Sequence, residues 1–155
     1  MADDVVELNL GLLLFIPHRF IETTVMAALR DHGHNIPISQ ARVFQRIAPG
    51  GSRLAELAEA AQVSKQTVGS IVDQLERAGY VRRIPDPTDA RARLVTLTSK
   101  GHELVEISIP VIREVESAWE AHLGRVRTRQ LRRILATLRE ITDPYIQHHS
   151  PQRSP

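Results

Sequence analysis

Cysteine is absent from the 155 residues. That excludes disulfides, thiol redox switches, cysteine nucleophiles and thiolate zinc sites, and leaves the compartment open. Lysine is nearly absent: it occurs only at Lys65 and Lys100, so arginine supplies the rest of the 20 basic residues. The planar donor fork of arginine suits phosphates and guanine edges, although arginine-rich codon usage gives the same count. A large charge imbalance is missing too. With a formal net charge of +2, charge alone points to no nucleic-acid partner. The chain also lacks a phosphate-binding glycine loop, a nucleophile–base pairing and a carboxylate pair, and Gly50-Gly51 reads as a turn. Neither an enzyme nor a cofactor is expected. The opening Met1-Ala2-Asp3-Asp4 is acidic where a secretory signal is basic. The apolar run Leu10 to Ile16 stops at Pro17-His18-Arg19, far short of a membrane span. A cytoplasmic protein with no membrane segment is the expectation.

What is present is helical periodicity. From about Val5 to Asp31 the residues Leu8, Leu12, Phe15, Val25, Met26 and Leu29 fall on one broad stripe. Pro17 should kink this helix, and Gly33 and Pro37 end it. A second helix is expected from Gln40 to Ala48, capped by Ser39 and followed by the turn Pro49-Gly50-Gly51. After Thr98, a plausible cap, a long helix carries Leu104, Ile107, Val111, Val115 and Trp119, with Pro110 expected to interrupt it. A last helix is expected after Thr128, with Leu131, Ile134, Leu135, Leu138 and Ile141 at helical spacing. The tail from His148 to Pro155 is polar and should fray.

The segment Leu54 to Thr98 reads as a winged helix-turn-helix. Leu54, Leu57, Ala58 and Ala61 give a short helix one apolar face, and the chain turns at Ala61-Gln62-Val63. Ser64 can cap a second helix by accepting from the N–H of Gln66 or Thr67. Val63 and Val68 form a hydrophobic staple, and Gly79 closes the helix in the left-handed conformation. Val68, Ile71, Val72 and Leu75 share the buried face, while Lys65, Gln66, Thr67, Gly69 and Ser70 form a small polar surface that fits a major groove about 12 Å wide. Gln66 can pair with adenine, Lys65 with guanine or phosphate, and Thr67 and Ser70 with phosphate or a thymine methyl. Two β-prone runs follow, Tyr80 to Ile84 and Leu94 to Leu97, joined by the turn-rich Pro85 to Arg93. Arg82, Arg83, Arg91 and Arg93 cluster on this hairpin, whose tip can enter a minor groove. Asp89 can orient the Arg91 guanidinium.

Leu57-Ala58-Glu59, Val63-Ser64-Lys65-Gln66-Thr67-Val68, Leu75-Glu76-Arg77-Ala78-Gly79-Tyr80-Val81, Pro85-Asp86-Pro87-Thr88-Asp89-Ala90-Arg91 and Leu97-Thr98-Ser99-Lys100-Gly101 together resemble the MarR (multiple antibiotic resistance regulator) family. The similarity runs from about Ile36 to Leu104, and the Ser39-Gln40 pair fits it. It implies a mainly α fold with a small β-hairpin: a winged helix-turn-helix flanked by N- and C-terminal dimerisation helices. Residues 1–35 would form an N-terminal dimerisation helix, 36–100 the DNA-binding domain, 101–147 the C-terminal dimerisation helices and 148–155 a frayed tail. It further implies a homodimer on a palindromic operator in double-stranded DNA. Ser64, Lys65, Gln66 and Thr67 would face that DNA, and Arg91, braced by Asp89, would enter the minor groove. Many members are repressors relieved by small aromatic or phenolic ligands, bound between the dimer helices and the winged helix.

The expected DNA contacts are therefore Ser64, Lys65, Gln66, Thr67, Ser70, Arg83, Asp89, Arg91 and Arg93. His18 and Phe44 are candidates for a small-molecule effector site, and both also fit a core or interface role. Two departures from the family concern the reading surface. Gly69 and Ser70 stand where a polar and often a basic side chain are usual, and Ala90 replaces a frequent arginine. Two other readings stay open: a winged helix used for protein contact, and a metalloregulator built on His32-Gly33-His34 or His148-His149, which no acidic or thiol cluster accompanies.

Overall fold

The computed structural model describes residues 7–145, as six helices and one two-stranded hairpin. In chain order these are α1 (Leu10–Asp31), α2 (Ile38–Phe44), α3 (Leu54–Ala61), α4 (Lys65–Arg77), β1 (Val81–Asp86), β2 (Asp89–Leu97), α5 (Ser99–Leu123) and α6 (Arg125–Thr142). The mainly α winged helix-turn-helix is borne out. The tail at 148–155, and with it His148-His149, lies outside the described residues.

Residues 7–9 precede α1, which starts at Leu10 rather than Val5 because the Asn9 side chain accepts from the Leu12 N–H at 3.0 Å. The helix runs on through Pro17 to Asp31. It is thus long and apolar enough, by length and composition, to cross a bilayer, which a reading that stopped at Pro17 did not anticipate. Its C-terminal half instead enters the protein core, where Met26 and Leu29 are buried. Pro110, expected to interrupt its helix, lies inside an unbroken α5. Pro110 and Glu106 are both exposed, so the Glu106 carbonyl that loses its partner can be hydrated. Helix α2 begins at Ile38 after Pro37, without a side-chain cap, and Ser39 lies inside it. Its end tightens through Arg46 N–H to Val43 and Ile47 N–H to Phe44 carbonyl bonds, short of the expected Ala48. Helix α6 starts at Arg125 because Gly124 takes φ +85° and breaks the chain there. Thr128, expected to precede it, lies within it and donates to the Gly124 carbonyl.

One core joins these elements. Leu57 of α3, Val68, Val72 and Leu75 of α4, Val81 and Val95 of the hairpin and Leu104 of α5 are buried together with Met26, Leu29, Val43 and Phe44. Tyr80 is buried at the root of the hairpin, where its hydroxyl lies 3.2 Å from Nδ1 of buried His34. The first turn of α5 presses on the same root. Thr98 caps α5 by accepting from the Gly101 N–H, while its own N–H donates to the Tyr80 carbonyl. A Cβ on Gly101 would stand 2.2 Å from that carbonyl oxygen, so only glycine fits.

The hairpin pairs Val81 with Leu97 through Pro85 with Arg93 in antiparallel register, then jumps to Asp86 with Asp89. Ala90, Arg91 and Ala92 therefore have no opposite residue on β1. The expected long loop from Pro85 to Arg93 is thus mostly strand, with only Pro87 and Thr88 as its turn. Asp86 makes this possible, since its Oδ1 accepts from both the N–H and the hydroxyl of Thr88. Ser52 adds a single-residue bridge to Val95 on the other edge of β2.

Candidate nucleic-acid interface

Helix α4 presents its N-terminus as the sequence spacing requires. Ser64 accepts from the Thr67 N–H at 3.0 Å, and its hydroxyl also bonds that of Thr67 at 2.8 Å. Both side chains thus hold the first turn, whose free N–H groups form an anion-attracting end. Lys65 and Gln66 are exposed and make no side-chain hydrogen bond among the described residues. The left-handed turn before them falls on Gln62, at φ 56°, and propensity gave no sign of it. Further along the helix the surface is less open. The Gln74 amide reaches Ser70 Oγ at 3.5 Å while accepting from Gln40 of α2 at 2.7 Å. Ser70 is therefore at the edge of a side-chain relay rather than fully free.

The wing separates its arginines into two kinds. Arg91 and Arg93 are exposed, without a side-chain partner among the described residues. Arg91 stands in the unpaired part of β2, and a bulge of this kind re-aims a side chain out of the ladder. Arg83, expected as a DNA contact, is engaged otherwise. Its guanidinium bonds Glu76 and lies 2.7 Å from Asp73, so it ties β1 to the C-terminal half of α4. Asp89 also acts differently from the expectation. Its Oδ1 accepts from the Arg91 backbone N–H at 3.1 Å, so it fixes the main chain that carries Arg91 rather than the guanidinium.

Sequence reasoning missed Arg53, the residue preceding α3. Its Nε and Nη2 lie 2.7 and 2.6 Å from Asp86 Oδ2, and its Nη1 is 3.9 Å from Asp89 Oδ2. The bonds from Thr88, joined by Arg53, hold the Asp86 carboxyl down to about 2. An arginine at a helix N-cap was the available signal, because it cannot accept from the N–H groups there.

A second site lies between α1, α2 and α5. A cleft of about 330 Å3 is walled by Ile21, Val25, Phe44, Val105 and Ile112, with His18 and Arg42 among its polar groups. His18 and Phe44 thus meet at one cleft although far apart in sequence. Beside them Glu22 takes two bonds from Arg42, at 2.6 and 3.1 Å, and one from Arg19. The Arg42 guanidinium, with Arg19 beside it, lowers the Glu22 carboxyl to about 2. Of the histidines considered as metal ligands, His32 bonds the Ala28 carbonyl and His34 faces Tyr80 and Glu103. The two do not converge, and no trio of metal-binding side chains occurs among the described residues.

A MarR family model matches residues 34–92. The HTH-type transcriptional repressor NicR of Pseudomonas putida is 32% identical over 123 residues, which are 79% of this chain and 65% of NicR. The chain thus spans just under two thirds of that relative. The HTH-type transcriptional repressor Rv2887 of Mycobacterium tuberculosis is 31% identical over 138 residues, 89% of this chain and 96% of the repressor. Among solved structures, NadR in complex with 4-hydroxyphenylacetate aligns with a TM-score of 0.68 at 25% identity, over 91% of this chain and 99% of NadR.

Proposed function

The chain belongs to the MarR family of DNA-binding winged-helix transcription regulators, and from that premise we propose that it acts in the cytoplasm as a homodimeric repressor. Two copies seat on a palindromic operator and leave it when a small aromatic or phenolic ligand enters the cleft between α1, α2 and α5. The protein is a regulator and not an enzyme.

The observation that carries the DNA reading is the contrast among its polar side chains. Arg53, Arg83 and Lys100 are tied to carboxylates or carbonyls within the chain, whereas Lys65, Gln66, Arg91 and Arg93 end in solvent. Cations without carboxylate partners are the ones able to displace counterions from phosphates. Ser64 and Thr67 support the first turn, and Asp89 supports Arg91. Arg83, paired with Asp73 and Glu76, is a brace of the wing rather than a DNA contact. The dimer reading rests on uncovered apolar surface. Leu10, Leu13, Phe15, Ile16 and Phe20 of α1 are exposed, as are Val126, Ile134 and Ile141 of α6, and α6 buries no residue at all. A stripe of this size calls for a second copy, with recognition helices about 34 Å apart on one face of the duplex. The ligand reading rests on the largely apolar wall around Phe44 and on the likeness to ligand-bound NadR.

Selection of bound DNA from a random pool tests the proposal. A two-fold symmetric motif should emerge, with affinity that falls steeply as salt rises. Release by 4-hydroxyphenylacetate or a related phenolic acid should be blunted in Phe44→Ala. Recovery of no motif, or binding indifferent to salt, would favour a protein-contact role for the winged helix.

A further inference from the structure

The turn of the wing is held by a cation that comes from outside the wing. Arg53 stands immediately before α3, where its N–H is taken by Glu56 at 3.2 Å. That leaves the side chain to cross to the hairpin. Its Nε donates to Asp86 Oδ2 while Nη2 lies 2.6 Å from the same oxygen, a close ion pair on a residue that is 7% exposed. The other oxygen of Asp86 holds Thr88. The third nitrogen of Arg53 faces Asp89, whose other oxygen holds the Arg91 N–H. A continuous line of polar contacts therefore leads from the first residue of the helix-turn-helix to the backbone of Arg91.

We propose that Arg53 is the positioning residue of the wing: it holds Asp86 and Asp89 so that the bulged strand presents Arg91 to DNA, and it does not itself contact DNA. The inference rests on the reading of Arg91 as a groove contact. Two physical effects act in the same direction. A charge-assisted bond from Nε, with Nη2 set against the same oxygen, fixes the plane of the guanidinium as well as its distance. Arg53 also neutralises carboxylates that would otherwise stand beside a segment meant to meet phosphates. Lysine cannot reproduce the first effect, because it offers a point charge rather than a fork.

A double-mutant cycle on the full chain tests this, with the selected duplex as probe. Parent, Arg53→Ser, Arg91→Ala and the double variant are compared by gel-shift titration across a salt series, each shown to be folded by its thermal melt. Arg53→Ser should weaken binding about tenfold in the parent and less than about twofold in the Arg91→Ala background, because coupled residues are non-additive. In that background the salt slope should not change. Arg53→Lys should bind between parent and Arg53→Ser, and it carries the same comparison if the serine variant melts below assay temperature. Equal losses in both backgrounds would overturn the positioning role and leave the Arg91 contact standing. A reduced salt slope in the Arg91→Ala background would make Arg53 a direct phosphate contact and overturn it as well. If Arg91→Ala binds like the parent, the wing contact itself falls and this inference falls with it.

Discussion

Gly101→Ala should damage the protein far more than a methyl group suggests. The added Cβ would stand 2.2 Å from the Tyr80 carbonyl oxygen and 3.3 Å from Leu97 Cβ. The near obstacle is backbone, so no rotamer change relieves it, and α5 must move by about 1 Å relative to the hairpin root to restore van der Waals distance. That movement strains the Thr98 N–H to Tyr80 carbonyl bond, 3.1 Å, and the Thr98 hydroxyl to Gly79 carbonyl bond, 2.5 Å. Overpacking costs about 1–3 kcal/mol, and weakening one hydrogen bond adds about 1 kcal/mol. A loss of roughly 3 kcal/mol corresponds to about 6–12 °C in Tm for a chain of this size. Gly69→Ala is the matched control: it lies within α4, and no neighbouring atom comes within 4 Å of its added Cβ. Helix propensity alone should make it neutral to about 1 kcal/mol more stable. Thermal melts followed by circular dichroism measure both. If Gly101→Ala melts within 2 °C of the parent, a difference of about 1 kcal/mol or less, the close approach of α5 to the wing root is wrong.

Gln66→Ala should relax preference at one base pair by roughly 1–3 kcal/mol, and an identical selected motif from variant and parent would remove Gln66 from base reading. Ile134→Glu, at a position 56% exposed on α6, should yield a folded monomer by light scattering and lose operator binding; a dimer that persists would place the interface elsewhere. Glu22 is held at about 2 against an ordinary 4.5, so its ion pairs stabilise the fold fully above about pH 4.5. That contribution is lost as pH falls toward 2. Glu22→Gln should flatten the acid limb of the stability profile between those values, and an unchanged limb would show that the Arg42 and Arg19 contacts contribute little.

Local signals were legible because the groups that satisfy them are close in sequence. Ser64 and Thr98 cap their helices through residues three positions on, and Gly79 takes φ +82° at the end of α4. The buried face of Val68, Ile71, Val72 and Leu75 follows from helical spacing alone. Signals failed where a distant partner decides. Arg83 looked like a free cation on a strand until Asp73 and Glu76 were brought beside it. Arg53 and Asp86 are 33 residues apart, and no periodicity connects them. Pro110 is a further case: the local rule against proline does not register that α5 continues through it with Pro110 and Glu106 both exposed, so the Glu106 carbonyl can be hydrated. The short turn of the wing was hidden because Asp86-Pro87-Thr88 looks like loop composition, although an aspartate two residues before a threonine is itself a turn signal.

These contacts also bear on how the protein would read DNA. Past its first turn, α4 offers little to a base edge. Gly69 has no side chain, Ser70 is reached by Gln74, and Asp73 is paired with Arg83. On the proposed function, direct readout through this helix would therefore fall mainly to Lys65 and Gln66, two side chains for each half-site. A surface so sparse discriminates poorly by hydrogen bonds alone, since each good base contact contributes only about 1–3 kcal/mol. On the proposed function, specificity would then draw on the width and deformability of the duplex, sensed through Arg91 at the minor groove. That shifts the demand from the chemistry of α4 to the placement of the wing. Placement is what Arg83, Asp89 and Arg53 supply: the first fixes the wing to α4, the second fixes Arg91 to its strand, and the third fixes the turn to α3.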